Sequence, residues 1–116
     1  RPIYLQLLED FKLKISSGVW KSGDKMDTVR NLAKIYGVNP NTVQRALQEL
    51  EREGLAKSNR TSGRFITEDE EKINDMAKEA FYRSCDDLIS VADELKLTKE
   101  KSIKLLDEYW REIWVK

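Results

Sequence analysis

The sequence has 116 residues, 40% of them hydrophobic and 36% charged, enough for a small core, yet no apolar run approaches the roughly 20 residues of a membrane span. It has no histidine and one cysteine, Cys85, which excludes histidine-based acid–base chemistry, histidine-containing metal sites and an intramolecular disulfide framework. The formal charge of zero hides a division: residues 1–68 carry 12 Lys/Arg against 8 Asp/Glu, and residues 69–116 carry 9 against 13, an asymmetry expected when one half meets a polyanion.

No signal-peptide pattern is present, so a cytoplasmic location is expected. The chain begins at Arg1 with no Met, and a few residues are expected to precede it. No cofactor or metal is expected, and Cys85 reads as a packed, unreactive thiol.

Residues 3–17 read as a first helix, with Tyr4, Leu8, Phe11 and Ile15 forming an apolar stripe and Leu7 beside it. Gly18 suits the helix end, Val19-Trp20 a very short strand, and Lys21-Ser-Gly-Asp24 a turn. Asp27 or Thr28 can cap a second helix whose apolar positions are Val29, Leu32, Ala33 and Ile35. Gly37 can supply the left-handed residue of a tight turn. Asn39-Pro40 then opens a third helix running to Glu53, because asparagine is a favoured cap and proline fits the first helical position. Gly54 ends it. Two β-prone stretches follow, Leu55–Asn59 and Arg64–Thr67, joined by a tip at Arg60-Thr-Ser-Gly63. From Asp69 to about Leu97 the helical period returns, and Thr98 caps a last helix with Ile103, Leu106, Trp110, Ile113 and Trp114 on one face.

The expected class is therefore mostly α with a small β-hairpin wing: a winged helix-turn-helix over 1–68, then a two-helix tail over 69–116. The third helix, 40–53, is the most informative element. Val43, Ala46, Leu47 and Leu50 form one stripe; Asn41, Gln44, Arg45 and Gln48 form a second, two residues earlier. At about 100° per residue that offset puts the stripes on opposite faces. One face packs, and the other offers amides and a guanidinium, which suit the base edges of the DNA major groove. The free N–H groups after Asn39 are expected to meet a phosphate. Arg30 near the start of the second helix is a further candidate to clamp a phosphate or reach a base, Lys57 to contact a phosphate, and Arg60 and Arg64, beside the tip of the 58–66 wing, to enter the minor groove or hold its phosphates.

Pro2-Ile-Tyr-Leu-Gln6, Ser17-Gly18, Ser22-Gly-Asp-Lys25, Thr28-Val-Arg-Asn-Leu-Ala33, Gly37-Val-Asn-Pro-Asn-Thr-Val-Gln-Arg-Ala46, Leu50-Glu-Arg-Glu-Gly-Leu55 and Gly63-Arg-Phe-Ile66 resemble the N-terminal domain of GntR-family bacterial regulators. The run Val38–Ala46 and the short tail look most like the YtrA-type branch. The resemblance implies a homodimer binding a palindromic operator, commonly as a repressor, with DNA contacts at Arg30, Asn39, Asn41, Thr42, Gln44 and Arg45 and at the wing around Gly63. Asp27 replaces the family's usual proline, and Asn59, Thr61 and Ser62 thin its basic, glycine-rich wing tip. No large ligand-binding domain is expected, so the resemblance does not carry over the inducer of larger relatives.

The tail carries more apolar surface than can stay wet: Phe81, Leu88 and Leu95 on its first helix, Leu106, Trp110 and Trp114 on its second. These residues can fold back on the winged domain or pair with a second copy, and the second copy is the preferred reading. Any small-molecule effector would then bind between tail helices at the dimer interface. Two rivals come from other classes. A winged-helix module for protein–protein assembly is opposed by the Asn/Gln/Arg stripe, and an enzyme is opposed by acidic pairs such as Asp86-Asp87, which point about 100° apart on a helix.

Overall fold

In the computed structural model, which describes residues 1–114, the chain runs α1 (Ile3–Ser16), α2 (Val29–Tyr36), α3 (Pro40–Arg52), β1 (Ala56–Asn59), β2 (Gly63–Ile66), α4 (Glu70–Glu94) and α5 (Lys99–Trp114). The mostly helical class with a hairpin wing is thus the observed one. Two compact units divide the chain, Arg1–Lys78 and Glu79–Lys116. The division lies beyond residue 68 because the first turns of α4 belong to the winged unit. Ile73 is buried in its core and Met76 packs against it.

Local chemistry accounts for each boundary in the first unit. Thr28 caps α2 by accepting the Asn31 N–H at 3.1 Å, while Asp27 accepts the Thr28 N–H at 2.9 Å. Of the two expected caps Thr28 is the one used, and Asp27 supports it by also accepting from the Asn31 side-chain amide. Gly37 ends α2 at φ 65° and ψ 37°, the left-handed region that glycine enters without a Cβ penalty. Asn39 caps α3, and Pro40 sits in its first turn.

The core gathers one face of each helix. Leu7, Leu8, Phe11 and Ile15 of α1 meet Leu32 and Ala33 of α2 and Val43, Ala46, Leu47 and Leu50 of α3. The four α3 residues are fully buried. Phe11 lies at the centre, tilted against Trp20 at 5.1 Å between ring centroids and edge-to-face with Tyr36 at 5.5 Å.

Two expectations are corrected here. No strand forms at Val19-Trp20. Instead the Trp20 N–H bonds back to the Lys14 carbonyl at 2.9 Å, which turns the indole onto Phe11. The third edge of the wing lies at Asp24–Met26: Ile66 N–H donates to the Asp24 carbonyl at 2.9 Å, Met26 N–H donates to the Arg64 carbonyl at 2.8 Å, and Lys25 pairs with Phe65. Ile35 is also not a core residue. It is 64% exposed, and its neighbour Tyr36 takes the packing position.

Tyr36 also ties α2 to α1 electrostatically. Its hydroxyl donates to Asp10 Oδ2 at 2.7 Å, and Lys14 donates to the same oxygen at 2.7 Å. Burial pushes the Asp10 carboxyl up, but these two hydrogen bonds outweigh it and hold the group below the ordinary aspartate range. Burial, then the bond to Asp10, raises the Tyr36 phenol. The linkage has opposite signs at the two ends. Asp10, depressed when folded, contributes stability that is present above about pH 4 and lost as pH falls through its folded value. Tyr36, raised when folded, contributes stability that is present below about pH 10 and lost as pH rises through its folded value. Tyr36→Phe keeps the ring and is expected to lower unfolding free energy by about 0.5–1.5 kcal/mol between those limits. Urea melts at neutral pH check this; an unchanged unfolding free energy would mean that the Tyr36 hydroxyl contributes nothing.

In the second unit, α4 ends through the Lys96 turn, where Leu97 N–H reaches the Ala92 carbonyl at 2.9 Å. Thr98 then caps α5 by accepting the Lys101 N–H at 3.1 Å. The two helices of this unit line an open apolar groove that includes Leu88, Ile89, Ala92, Leu97, Ile103 and Leu106. Among the described residues no helix is long and apolar enough to cross a membrane.

Candidate nucleic-acid interface

Helix α3 presents its faces as its sequence period requires. With the apolar stripe buried, Asn41, Arg45 and Gln48 are exposed, and Thr42 and Gln44 are half-buried on the flanks. Among the described residues the side chains of Asn41, Gln44 and Gln48 make no hydrogen bond within the protein. No group of the protein among the described residues engages their donors and acceptors.

The cap is more fully used than the sequence implies. Asn39 Oδ1 accepts the Asn41 N–H at 2.7 Å, and the Asn39 carbonyl accepts the Thr42 N–H at 2.9 Å. Pro40 has no N–H. The first turn of α3 therefore has no free amide hydrogen for a phosphate, which corrects that expectation. What Asn39 offers outward is its Nδ2 amide.

Ion pairing divides the six arginines of the winged unit into two sets. Arg1 pairs with Glu9 at 2.9 Å, Arg52 with Glu49 at 2.8 Å and Arg64 with Glu51 at 3.0 Å. Among the described residues Arg30, Arg45 and Arg60 form no ion pair. Those three lie near the start of α2, on the polar face of α3 and at the wing tip. Lys57, on β1 opposite Phe65, is likewise exposed and unpaired among the described residues.

The acidic residues at the C-terminal end of α3 are neutralised locally. Arg52 grips Glu49 with both Nε and a terminal nitrogen, and this keeps the Glu49 carboxyl below its ordinary range. Glu51 is pushed up by burial but held down overall by hydrogen bonds from Ser58 and Arg64. Arg64 is thus not a tip residue. Its side chain is only 16% exposed and braces β2 against α3. Of the two arginines only Arg60 lies at the tip, beside an Asn59 whose side-chain oxygen accepts the Thr61 N–H at 3.0 Å. Gly63 adopts φ +106°, and a Cβ there would lie 3.0 Å from Lys25 Cε.

Two residues beyond the predicted set emerge from this geometry. Lys25 reaches the base of the wing through its pairing with Phe65, which a segment too short to show a strand period does not reveal. Tyr4, expected only as part of the α1 packing stripe, lies under Arg45, with the guanidinium carbon 3.8 Å from the ring centroid. In the second unit every expected contact residue is exposed, from Leu106 at 39% to Trp114 at 76%, with Phe81, Leu88, Leu95 and Trp110 between.

Comparison with known proteins identifies the family. The model for bacterial regulatory proteins of the gntR family matches residues 3–66. The uncharacterized HTH-type transcriptional regulator YhcF of Bacillus subtilis is 33% identical over 104 residues, covering 90% of this chain and 86% of that protein. The HTH-type transcriptional repressor YtrA of the same organism is 46% identical over 67 residues, covering 58% of this chain and 52% of that protein. A GntR family transcriptional regulator from Listeria monocytogenes superposes with a TM-score of 0.86 at 33% identity, over 93% of this chain and 95% of that one. The AraR DNA-binding domain, solved in complex with operator ORX1, superposes with a TM-score of 0.55 at 28% identity, over 58% of this chain and 81% of that one. These are regulators rather than enzymes. The chain belongs to the gntR family of bacterial DNA-binding transcriptional regulators, in its YtrA-type branch.

Proposed function

We propose that this regulator binds a palindromic operator as a homodimer in the cytoplasm and acts there as a repressor. Residues 1–68 supply the DNA contacts and residues 69–116 the pairing of subunits. Helix α3 enters the major groove. Arg45 is the guanine-reading group, and Asn41, Gln44 and Gln48 are positioned for adenine or bridging contacts. Arg30, Asn39 and Thr42 hold the flanking backbone, and Arg60, Lys57 and the Gly63 turn bring the wing to the backbone or minor groove. Arg64 acts indirectly, by bracing the wing.

One observation carries this reading. The three arginines without a carboxylate partner among the described residues mark the second helix, the reading helix and the wing tip, while the remaining arginines of the unit are neutralised by carboxylates. The repressor assignment is supported by the name of the YtrA relative. The dimer is supported by Phe81, Leu88, Leu95, Leu106, Trp110 and Trp114, whose exposure in a single chain would leave a broad apolar face in water.

Affinity measured by fluorescence anisotropy on a duplex site should fall steeply with salt, by about 10³–10⁵ between 50 and 200 mM if 6–10 phosphates are contacted. Affinity independent of salt would rule out this mode of binding.

A further inference from the structure

We propose that Tyr4 is a positioning residue for base readout: its ring holds the Arg45 guanidinium in the orientation that α3 presents to DNA. The inference rests on Arg45 being a base-reading residue, as argued above.

At 3.8 Å from the ring centroid, the Arg45 guanidinium carbon is in van der Waals contact with the Tyr4 ring. A ring face attracts a cation without accepting hydrogen bonds in its plane. The N–H edge that would grip guanine stays free, and the charge stays unneutralised. A carboxylate at position 4 would do the reverse, pairing with Arg45 and competing with DNA. The nearby carboxylate is withheld in the same way. Glu49 lies one turn from Arg45 on α3 but is held by two nitrogens of Arg52.

The platform is itself anchored. Tyr4 is half-buried near the start of α1, where Pro2 sets the helix start and its carbonyl accepts the Leu5 N–H at 3.2 Å. One turn on, Leu7 and Leu8 are buried against the shared core. Arg45 is a long side chain that would otherwise sample many rotamers and lose that freedom on binding. Stacking spends part of that cost during folding, so the reading geometry exists before DNA arrives.

The test is a double-mutant cycle on the full-length protein, read on its selected site and on unrelated duplex. Tyr4→Phe keeps the ring and should bind like the parent. Tyr4→Leu should weaken binding to the selected site by about 5- to 20-fold, flatten the preference at the base pair read by Arg45, and leave affinity for unrelated duplex nearly unchanged. In an Arg45→Ala background, Tyr4→Leu should add little. Three results overturn the proposal: Tyr4→Phe losing as much as Tyr4→Leu, which would assign the effect to the hydroxyl; an undiminished Tyr4→Leu loss in the Arg45→Ala background; or equal losses on both duplexes. If Arg45→Ala alone binds with parental affinity and preference, the base-reading assignment fails and this inference falls with it. Melting curves confirm that each variant is folded.

Discussion

A chain ending at Lys78 should fold, remain monomeric and bind a palindromic site about 10²–10⁴ times more weakly than the full-length protein. The buried core of the winged unit lies entirely within residues 1–78. Ending there rather than at residue 67 retains Ile73, which is 8% exposed and part of that core. One winged unit spans one half-site, whereas two joined units convert the second binding event into an intramolecular one and need no new DNA contact to gain affinity. The association itself would come from burying the apolar stripes of α4 and α5, less the entropy of joining two chains. Trp110→Ala with Trp114→Ala should weaken dimerisation without changing α3. Sedimentation and binding titrations decide the matter. A full-length monomer at micromolar concentration, or a truncated chain that still dimerises and binds as tightly, would refute it.

Arg45→Ala should cost about 1–3 kcal/mol per half-site and relax preference at one base pair in each. The reason is geometric. Arg45 is exposed, has no ion pair among the described residues and projects from a helix whose opposite face is locked into the core by Val43, Ala46, Leu47 and Leu50. Loss of a bidentate guanine contact therefore needs no rearrangement of the scaffold. Lys57→Ala should behave differently, weakening binding by a similar factor on every sequence and making the salt slope shallower. Titrations on the parental site and on single-base-pair variants separate the two. Uniform loss for Arg45→Ala would demote it to a backbone contact.

Much of the architecture could be read from local chemistry. Gly37, Asn39 and Pro40 act through their own backbone preferences, so the turn and the start of α3 follow from three adjacent residues. The two stripes of α3 follow from helical period alone. What local chemistry does not encode is which of several equivalent groups finds a distant partner. Ile35 and Tyr36 are both apolar neighbours near a helix end, and Tyr36 wins the inner position because Phe11 and Asp10 of α1 receive it. Arg60 and Arg64 look alike beside the wing tip, but Glu51 on α3 claims only Arg64. The third edge of the wing at Lys25 and the stacking of Tyr4 on Arg45 are contacts between remote segments, invisible to any period.

The most direct test of the account is selection of bound duplexes from a random pool by the full-length protein. The account predicts an enriched inverted repeat whose half-sites are separated by about 10 base pairs or a multiple of that, with at least one strongly preferred G·C pair in each half that loses its preference in Arg45→Ala. A pool that stays random, or an enriched motif without two-fold symmetry that is identical for the parent and Arg45→Ala, would contradict it.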